Sequence, residues 1–422
     1  MREPDSGRDE LSILIGLETS DSDIDGAESL SELYRLARTA GFSVKGKFIQ
    51  KRNRPHPRFY IGPGKIRELK GYIEENRVTL SIVDDELTPN QERNLEEELG
   101  CRVIDRTRLI LDIFALHATT SAGKLQVELA QLEYYLPRLK TIWHEFSRLG
   151  GGMRTTRGPG EQRIEVDRRI ISDRITAVRK NLEKLSRQRR DLSKQRKKSH
   201  LKTVSLTGYT NSGKSTLMNA LTGADVQVVN KLFATLSPTT RRMECGKYEL
   251  LLTDTVGFIR KLPHQVVEAF MATLEQVKEA DILLHVIDYS AENYRHQIKA
   301  VEKVLGELKV LDRPVIRVYN KTDMLPESGN TPGKRSSDSV FISAKEGTGM
   351  EDLKAAIETH LDNLTVSLRL KIPQSRQEVI NSIHRNCHVT GRNYSGNSVF
   401  IDCRMDSGLA GAYKEYIADE TS

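Results

Sequence analysis

Gly208-Tyr209-Thr210-Asn211-Ser212-Gly213-Lys214-Ser215 satisfies the pattern of a glycine, four variable residues and Gly-Lys-Ser. The apolar run Val204-Ser205-Leu206-Thr207 before it reads as a buried strand, and the stretch Ser215 to Leu221 after it reads as a helix. Strand, tight glycine turn and helix start form an anion cradle, because backbone N–H groups and the positive end of the helix dipole converge on phosphate oxygens. In such a cradle Lys214 reaches the β- and γ-phosphates and Ser215 holds Mg²⁺. A glycine-rich turn with a chance lysine would read the same over this stretch alone, so the decision falls to the downstream residues.

Leu250-Leu251-Leu252-Thr253 is a second apolar strand and runs into Asp254-Thr255-Val256-Gly257. An acidic residue at that strand end is where a nucleotidase places its second Mg²⁺ contact, usually through water, and Gly257 lets its backbone N–H approach the γ-phosphate. Further buried strands are expected at Ile282 to Ile287 and at Val315 to Tyr319, the latter leading into Asn320-Lys321-Thr322-Asp323. This tetrapeptide selects the base. A carboxylate at Asp323 can accept from both the ring N1–H and the exocyclic amino group of guanine, and adenine offers no matching pair of donors. Sites built on such hydrogen bonds reject the wrong analogue by about 10⁴-fold or more. Val340-Phe341-Ile342 then leads to Ser343-Ala344-Lys345, a loop suited to touching the guanine edge through backbone groups. The chemistry expected is hydrolysis of GTP.

Between the first two motifs lies Lys231-Leu232-Phe233-Ala234-Thr235-Leu236-Ser237-Pro238-Thr239-Thr240-Arg241. A mobile loop here must supply one threonine that senses Mg²⁺ and the γ-phosphate, and Thr235 is the candidate among three. Phe233 to Thr239 and Asp254 to Phe258 resemble the translational-factor-related GTPases of the Obg and HflX superfamily. Lys214, Thr235 and Gly257 are therefore the expected catalytic set, with Phe233 to Ser237 lining the nucleotide and Ser215 and Thr235 on the metal. Many switch GTPases carry a glutamine close after this glycine to orient the attacking water, and Phe258 has no polar group for that task. Such a site is expected to be slow alone and to wait for a partner. Asn211 adds a resemblance to GTPases in which the equivalent side chain helps bind K⁺ in place of an arginine finger.

At 422 residues the chain is expected to form two to four domains, since single cores rarely grow past about 250 to 300 residues. The sequence has no uncharged apolar stretch of the roughly 18 residues that would suggest a membrane span, and MREPDSGRDE is not a signal peptide. Cys101, Cys245, Cys387 and Cys403 lie far apart without metal-ligand spacing and read as free thiols of a reducing cytosol. From Arg138 to Lys198 there are 19 Lys plus Arg against 7 Asp plus Glu, so the net +7 combines a strongly basic segment with a slightly acidic remainder. A solvated helical face is one reading of that segment and a nucleic-acid footprint is the other.

The segment is also patterned. Leu125, Leu129, Leu132, Leu136 and Leu139 recur at alternating spacings of four and three, as do Ile171, Ile175, Val178, Leu182 and Leu185. Two narrow seams imply an antiparallel coiled-coil hairpin, with Pro137 at a kink or at the first helix end. Gly150 to Glu161, glycine-rich and basic, is expected at its tip with backbone free to approach RNA.

Ahead of the hairpin, strands at Leu11 to Gly16, Phe42 to Ile49, Thr79 to Val83 and Arg102 to Ile104 alternate with helices at Ser29 to Ala40 and from Gly62-Pro63-Gly64-Lys65 to Glu75, which favours a partly parallel sheet. Gly62 to Lys65 is too short for a phosphate loop and reads as a structural turn. After Leu361 the expectation is a small α+β domain of βαβ type. Ser328 to Ser339 reads as a polar surface loop.

Asp84 to Gln91, Arg93 to Glu96, Val103 to Thr107, Leu111 to Phe114, Gly123 to Ala130 and Thr156 to Glu161 resemble the HflX family over roughly residues 10 to 360. Gln162-Arg163 departs from the family's usual Thr-Gln. The resemblance implies a cytoplasmic GTPase, in part peripheral to the membrane. It also implies a monomer that binds the large ribosomal subunit and its rRNA in the GTP state and splits, rescues or recycles ribosomes, with the hairpin tip near the peptidyl-transferase centre. An RNA-processing or tRNA-associated GTPase, or an RNA-binding scaffold using GTP as a structural switch, are the alternatives. The expected division is an N-terminal α/β subdomain over 1–105, a helical hairpin over 106–199, a mostly parallel P-loop GTPase domain over 200–363 and the small domain over 364–422.

Overall fold

The computed structural model describes residues 10–20, 25–139, 159–197, 201–223, 233, 239–261, 277–325 and 338–418. Two compact units form. The first comprises Met1–Leu185 with Val229–Ser237 and Ile259–Ala272, and the second comprises Ser186–Val228, Pro238–Phe258 and Thr273–Ser422.

The first unit is built on four strands, β1 (Leu11–Glu18), β2 (Ser43–Lys51), β3 (Leu80–Val83) and β4 (Arg102–Asp105), in the order β2-β1-β3-β4. Every pairing is parallel, where the sequence pattern left room for a mixed sheet. The near-continuous apolar run of β1 is what a strand covered on both faces requires, and Ile13, Leu14 and Ile15 are fully buried. Such side chains contribute about 1.5–3 kcal/mol each on burial. Helices α1 (Gly26–Thr39), α2 (Pro63–Asn76) and α3 (Pro89–Leu99) make the crossovers. Sequence reading missed α3, although its start is explicit: Thr88 and Gln91 form a reciprocal capping box before Pro89, and Gly100 closes it in the left-handed conformation. Gly62 caps α2 with Pro63 in its first turn, so the Gly62 to Lys65 turn serves structure.

Helix α4 (Arg106–His117) packs against α1, β3 and β4. Next come α5 (Ser121–Tyr135), ended by a 3₁₀ turn Leu136–Arg138 around Pro137, and the long α6 (Pro159–Lys197). The two expected seams meet: Leu129, Ile175 and Val178 are buried together, with Leu125, Leu132, Leu136, Ile171 and Leu182 packed around them. Of the expected tip from Gly150 to Glu161, residues 150–158 lie outside the described residues, and Pro159, Gly160 and Glu161 open helix α6, where a loop was expected.

In the second unit, β5 (Lys202–Gly208), β6 (Thr239–Cys245), β7 (Tyr248–Asp254), β8 (Ile282–Asp288), β9 (Val315–Asn320) and β10 (Ser339–Phe341) form a sheet in the order β10-β9-β8-β5-β7-β6. All pairs are parallel except β6 on β7. Strand β5 pairs with β7 on one side and β8 on the other. The crevice at its carboxyl end is thus the switch point where open α/β sheets bind ligands. Helices α7 (Lys214–Thr222), α8 (Tyr294–Glu307) and α9 (Met350–Leu364) belong to this domain.

A smaller sheet follows, β11 (Thr365–Pro373), β12 (His388–Ser395) and β13 (Ser398–Asp406), in the order β11-β13-β12 with helix α10 (Gln377–Asn386). Both pairings are antiparallel, so β11 and β12, joined through α10, run parallel to each other on either side of β13, a split form of the expected βαβ unit. A two-residue connection at Gly396-Asn397, with Gly396 at φ +57°, can close an antiparallel hairpin but cannot span a parallel crossover.

Candidate functional site

The phosphate loop leaves β5 at Gly208 and enters α7 at Lys214. Three of its residues have positive φ: Gly208 at +151°, Asn211 at +60° and Gly213 at +93°. The two glycines are required by neighbours as well as by torsion. A Cβ at Gly208 would stand 2.2 Å from the Val286 carbonyl oxygen, and one at Gly213 would stand 2.2 Å from Asn320 Nδ2. Among the described residues Thr210 Oγ1 and Ser212 Oγ, buried in this loop, have no hydrogen-bond partner, and they are hydroxyls of the kind an anionic ligand satisfies. The loop is tied to the second motif by reciprocal backbone bonds, Thr210 N–H to the Phe258 carbonyl at 2.8 Å and Phe258 N–H to the Gly208 carbonyl at 3.0 Å.

Lys214 is buried, and its Nζ donates to the carbonyls of Tyr209 at 2.8 Å and Gly208 at 3.3 Å. Burial lowers its pKa to about 8, with the positive charge of Lys321 adding to the effect and Asp254 opposing it. Ser215 Oγ donates to Asp254 Oδ2 at 2.8 Å. A hydroxyl and a carboxylate oxygen held together at the helix start suit a hard divalent cation such as Mg²⁺. Thr255 Oγ1 donates to the Leu206 carbonyl at 2.6 Å, which fixes the strand end, and Val256 is buried beside it. A Cβ on Gly257 would meet Thr210 Cα at 2.8 Å and Lys214 Nζ at 2.9 Å. The expected γ-phosphate contact and the expected phosphate lysine therefore face each other across a gap that admits only glycine.

The base end is equally interlocked. Asn320 is buried; its Nδ2 donates to the Ser212 carbonyl at 2.9 Å and its Oδ1 accepts from Ala344 N–H at 3.0 Å. It is a strut between the phosphate loop and the Ser343-Ala344-Lys345 loop. Asp323 Oδ1 accepts from Ser343 Oγ at 2.7 Å, which aims the carboxylate, and Thr322 N–H donates to the Ile342 carbonyl at 3.2 Å. Lys345 is exposed. Lys321, at φ +66°, pairs with Asp288 Oδ2 at 2.6 Å. Asp288 was missed in the sequence, although it ends the apolar strand β8 just as Asp254 ends β7. His285 on β8 was also missed: it is buried, and burial, with Arg317 and Lys214 adding to it, lowers its pKa to about 3 and keeps the ring neutral.

Of the expected switch loop, Phe233 is described; it is buried, sits at φ +59° and packs edge-on against Phe114 with ring centroids 4.6 Å apart. Ala234, Thr235, Leu236 and Ser237 lie outside the described residues, so the candidate threonine is not placed. Sequence reading also missed the two cations just beyond Phe258. Arg260 pairs with Glu28 at 2.8 Å and Glu32 at 3.1 Å, and Lys261 pairs with Asp84 at 2.8 Å. Arg106, buried, binds Glu32 and Asp84 and donates to the Arg260 carbonyl at 3.2 Å.

Residues 27–115 match the family described as GTP-binding GTPase N-terminal, residues 117–196 the GTP-binding GTPase middle region, and residues 203–321 the 50S ribosome-binding GTPase. The chain is 45% identical over 412 residues to the GTPase HflX of Caldanaerobacter subterraneus subsp. tengcongensis, covering 97% of this chain and 94% of that protein. It is 42% identical over 364 residues to the GTPase HflX of Escherichia coli K12, covering 84% and 83%. Among solved structures, a complex of SsGBP with GDP is 27% identical, covers 83% of this chain and 98% of the other, and superposes at a TM-score of 0.45.

Proposed function

Since the chain belongs to the HflX family of GTPases and hydrolyses GTP, we propose that it does so on the large ribosomal subunit, as a cytoplasmic monomer that binds in the GTP state and splits, rescues or recycles ribosomes. The observation that carries this reading is the match of residues 203–321 to a family described as a 50S ribosome-binding GTPase. The basic stretch from Arg138 to Lys198 supports an rRNA partner, because clustered cations gain affinity by releasing counterions from phosphates. No described helix is long and apolar enough to cross a membrane.

The division of labour follows from the site. Lys214, rigidly placed and desolvated, stabilises charge on the β- and γ-phosphate oxygens, and the Gly257 N–H meets the γ-phosphate. Ser215, with Thr235 as the expected switch threonine, would hold Mg²⁺, and Asp254 would orient its shell. That ion would supply positive charge to offset the negative charge on the phosphates. Asp323 reads the guanine N1–H and amino group, while Asn320, Ser343 and Ala344 hold the reader in place. Asn211, exposed and left-handed at the loop crest, offers its amide oxygen to K⁺. Phe258 is locked on the phosphate loop and carries no group that could orient water, so turnover alone is slow and the ribosome completes the site.

The test is multiple-turnover GTP hydrolysis with and without purified large subunits, paired with co-sedimentation in GDP and in a non-hydrolysable GTP analogue. Stimulation and analogue-dependent sedimentation are expected. Equal turnover with and without subunits, and no sedimentation in either state, would sink the ribosomal reading and leave a GTPase with another partner.

A further inference from the structure

The C-terminal sheet buries one face and presents the other to solvent. Leu370, Ile372, Val399 and Ile401 point into the domain core with Ile380 and Ile383 of α10. On the opposite face the register sets three rows across β11, β13 and β12: Lys371, Phe400 and Asn393; Arg369, Asp402 and Gly391; Ser367, Arg404 and His388. Lys371, Arg369, Asn393 and His388 are exposed and Phe400 is half-buried. The Arg369 guanidinium lies 5.5 Å and the Lys371 ammonium 5.8 Å from the Phe400 ring centroid. At the other end of the face, Arg404 lies over the Tyr248 ring at 4.6 Å, next to Lys247. Carboxylates interrupt the stripe: Asp402 meets Arg369 at 3.6 Å in an exposed pair, Asp362 pairs with Lys247 at 2.6 Å, and the register sets Asp406 in the row beyond Arg404. Among the described residues no carboxylate is in ion-pair contact with Lys371 or Arg404.

We propose that this open face of the C-terminal domain docks single-stranded ribosomal RNA, a base stacking on Phe400 while Arg369, Lys371 and Arg404 meet the flanking phosphates. The proposal rests on the ribosomal reading above and names a second contact for it, outside the basic helical segment. Charge complementarity selects a polyanion. The ring selects unpaired RNA among polyanions, since a duplex keeps its bases stacked on one another and a single strand offers free π-faces. Side chains on one face of a strand recur about every 7 Å, a spacing that an extended ribose-phosphate chain can follow. Asn393, beside Phe400, offers one donor group and one acceptor to a base edge. An acidic protein surface would use the cations and have no need of the ring.

The experiment uses the full chain with purified large subunits and with a 12-nucleotide single-stranded RNA carrying 4-thiouridine. Cross-linked peptides are mapped by mass spectrometry, and folding of each variant is checked by thermal melting and GDP binding. Wild type is expected to cross-link within Asn393 to Arg404. Phe400→Leu should weaken subunit binding about tenfold with its salt dependence unchanged, and the paired change Arg369→Glu with Lys371→Glu should weaken binding and lower the salt slope by about one to two. Cross-links confined to other segments, with both variants at wild-type affinity, would overturn the proposal. So would weakening by the charge reversals alone, with Phe400→Leu at full affinity and no RNA adduct here, which would identify an acidic protein as the occupant. If wild type failed to sediment with subunits while the RNA adduct still formed at this face, the ribosomal reading would fall and the RNA surface would stand.

Discussion

Gly213→Ala is the sharpest perturbation of the nucleotide site, because the structure separates its two costs. Backbone strain comes first: Gly213 sits at φ +93°, where an L-residue costs about 1–2 kcal/mol. The second cost is local. The new Cβ would stand 2.2 Å from Asn320 Nδ2, the atom that donates to the Ser212 carbonyl at 2.9 Å. Moving Asn320 aside breaks that bond and leaves a buried amide short of a partner, about 1–3 kcal/mol more. Together these amount to about 2–5 kcal/mol against the loop conformation that binds phosphate, or roughly 30- to 4,000-fold in nucleotide affinity, since affinity falls with the fraction of competent loop. Gly223→Ala is the matched control. Gly223 has φ +63°, so the strain is comparable, but nothing lies within 4 Å of its Cβ position. It should lower the melting temperature and leave affinity near wild type. The assay is equilibrium titration with a fluorescent GDP analogue alongside thermal melts. A Gly213→Ala protein that binds GDP within threefold of wild type, or that loses no more affinity than Gly223→Ala, would refute the strut role given to Asn320.

Asp323→Asn should move preference from guanine toward xanthine, because an amide can donate to the oxygen that replaces the guanine amino group; Ser343 Oγ can still hydrogen-bond to the amide oxygen, and retained GTP selectivity in competition binding would unseat Asp323 as the base reader. Lys214 has a pKa of about 8 from burial, and bound phosphates favour its charged form, so nucleotide binding should take up a proton above pH 8. Affinity is then flat below pH 8 and falls as pH rises through it, and calorimetry in two buffers of different ionisation enthalpy at pH 8.5 that detects no proton uptake would count against this. Intrinsic turnover should be faster in K⁺ than in Na⁺, and Asn211→Ala should erase the difference; equal wild-type rates in the two salts would remove the ion from Asn211.

The phosphate loop, the Asp254 strand end and the Asn320 to Asp323 turn were legible because each is a contiguous run whose residues act within a few positions of one another. The strands around them followed from apolar runs, with ends displaced by a residue or two where a polar end residue such as Lys202 or Asp288 continues the ladder. Less legible was work done across distance. Asn320 reads as a base contact in the tetrapeptide, yet its amide spans 108 residues to Ser212, and only the sheet order that sets β9 two strands from β5 explains that. The ion cluster is the extreme case. Nothing local in Phe258-Ile259-Arg260-Lys261 announces acidic partners, because Glu32 is 228 residues from Arg260 and Asp84 is 177 from Lys261. Burial alone would push the Asp84 carboxyl up, but Arg106 and Lys261 outweigh it and hold the pKa below its usual value, so the group is ionised at neutral pH. A carboxylate kept ionised at that depth requires cations at contact distance, since an unpaired buried charge costs several kcal/mol. Arg106 faces both Glu32 and Asp84, and the remaining positive charge comes from Arg260 and Lys261, a few residues beyond Gly257. The charge balance of this buried cluster is therefore set by Arg106, Arg260 and Lys261 together, three cations that no local sequence pattern connects to Glu32 and Asp84.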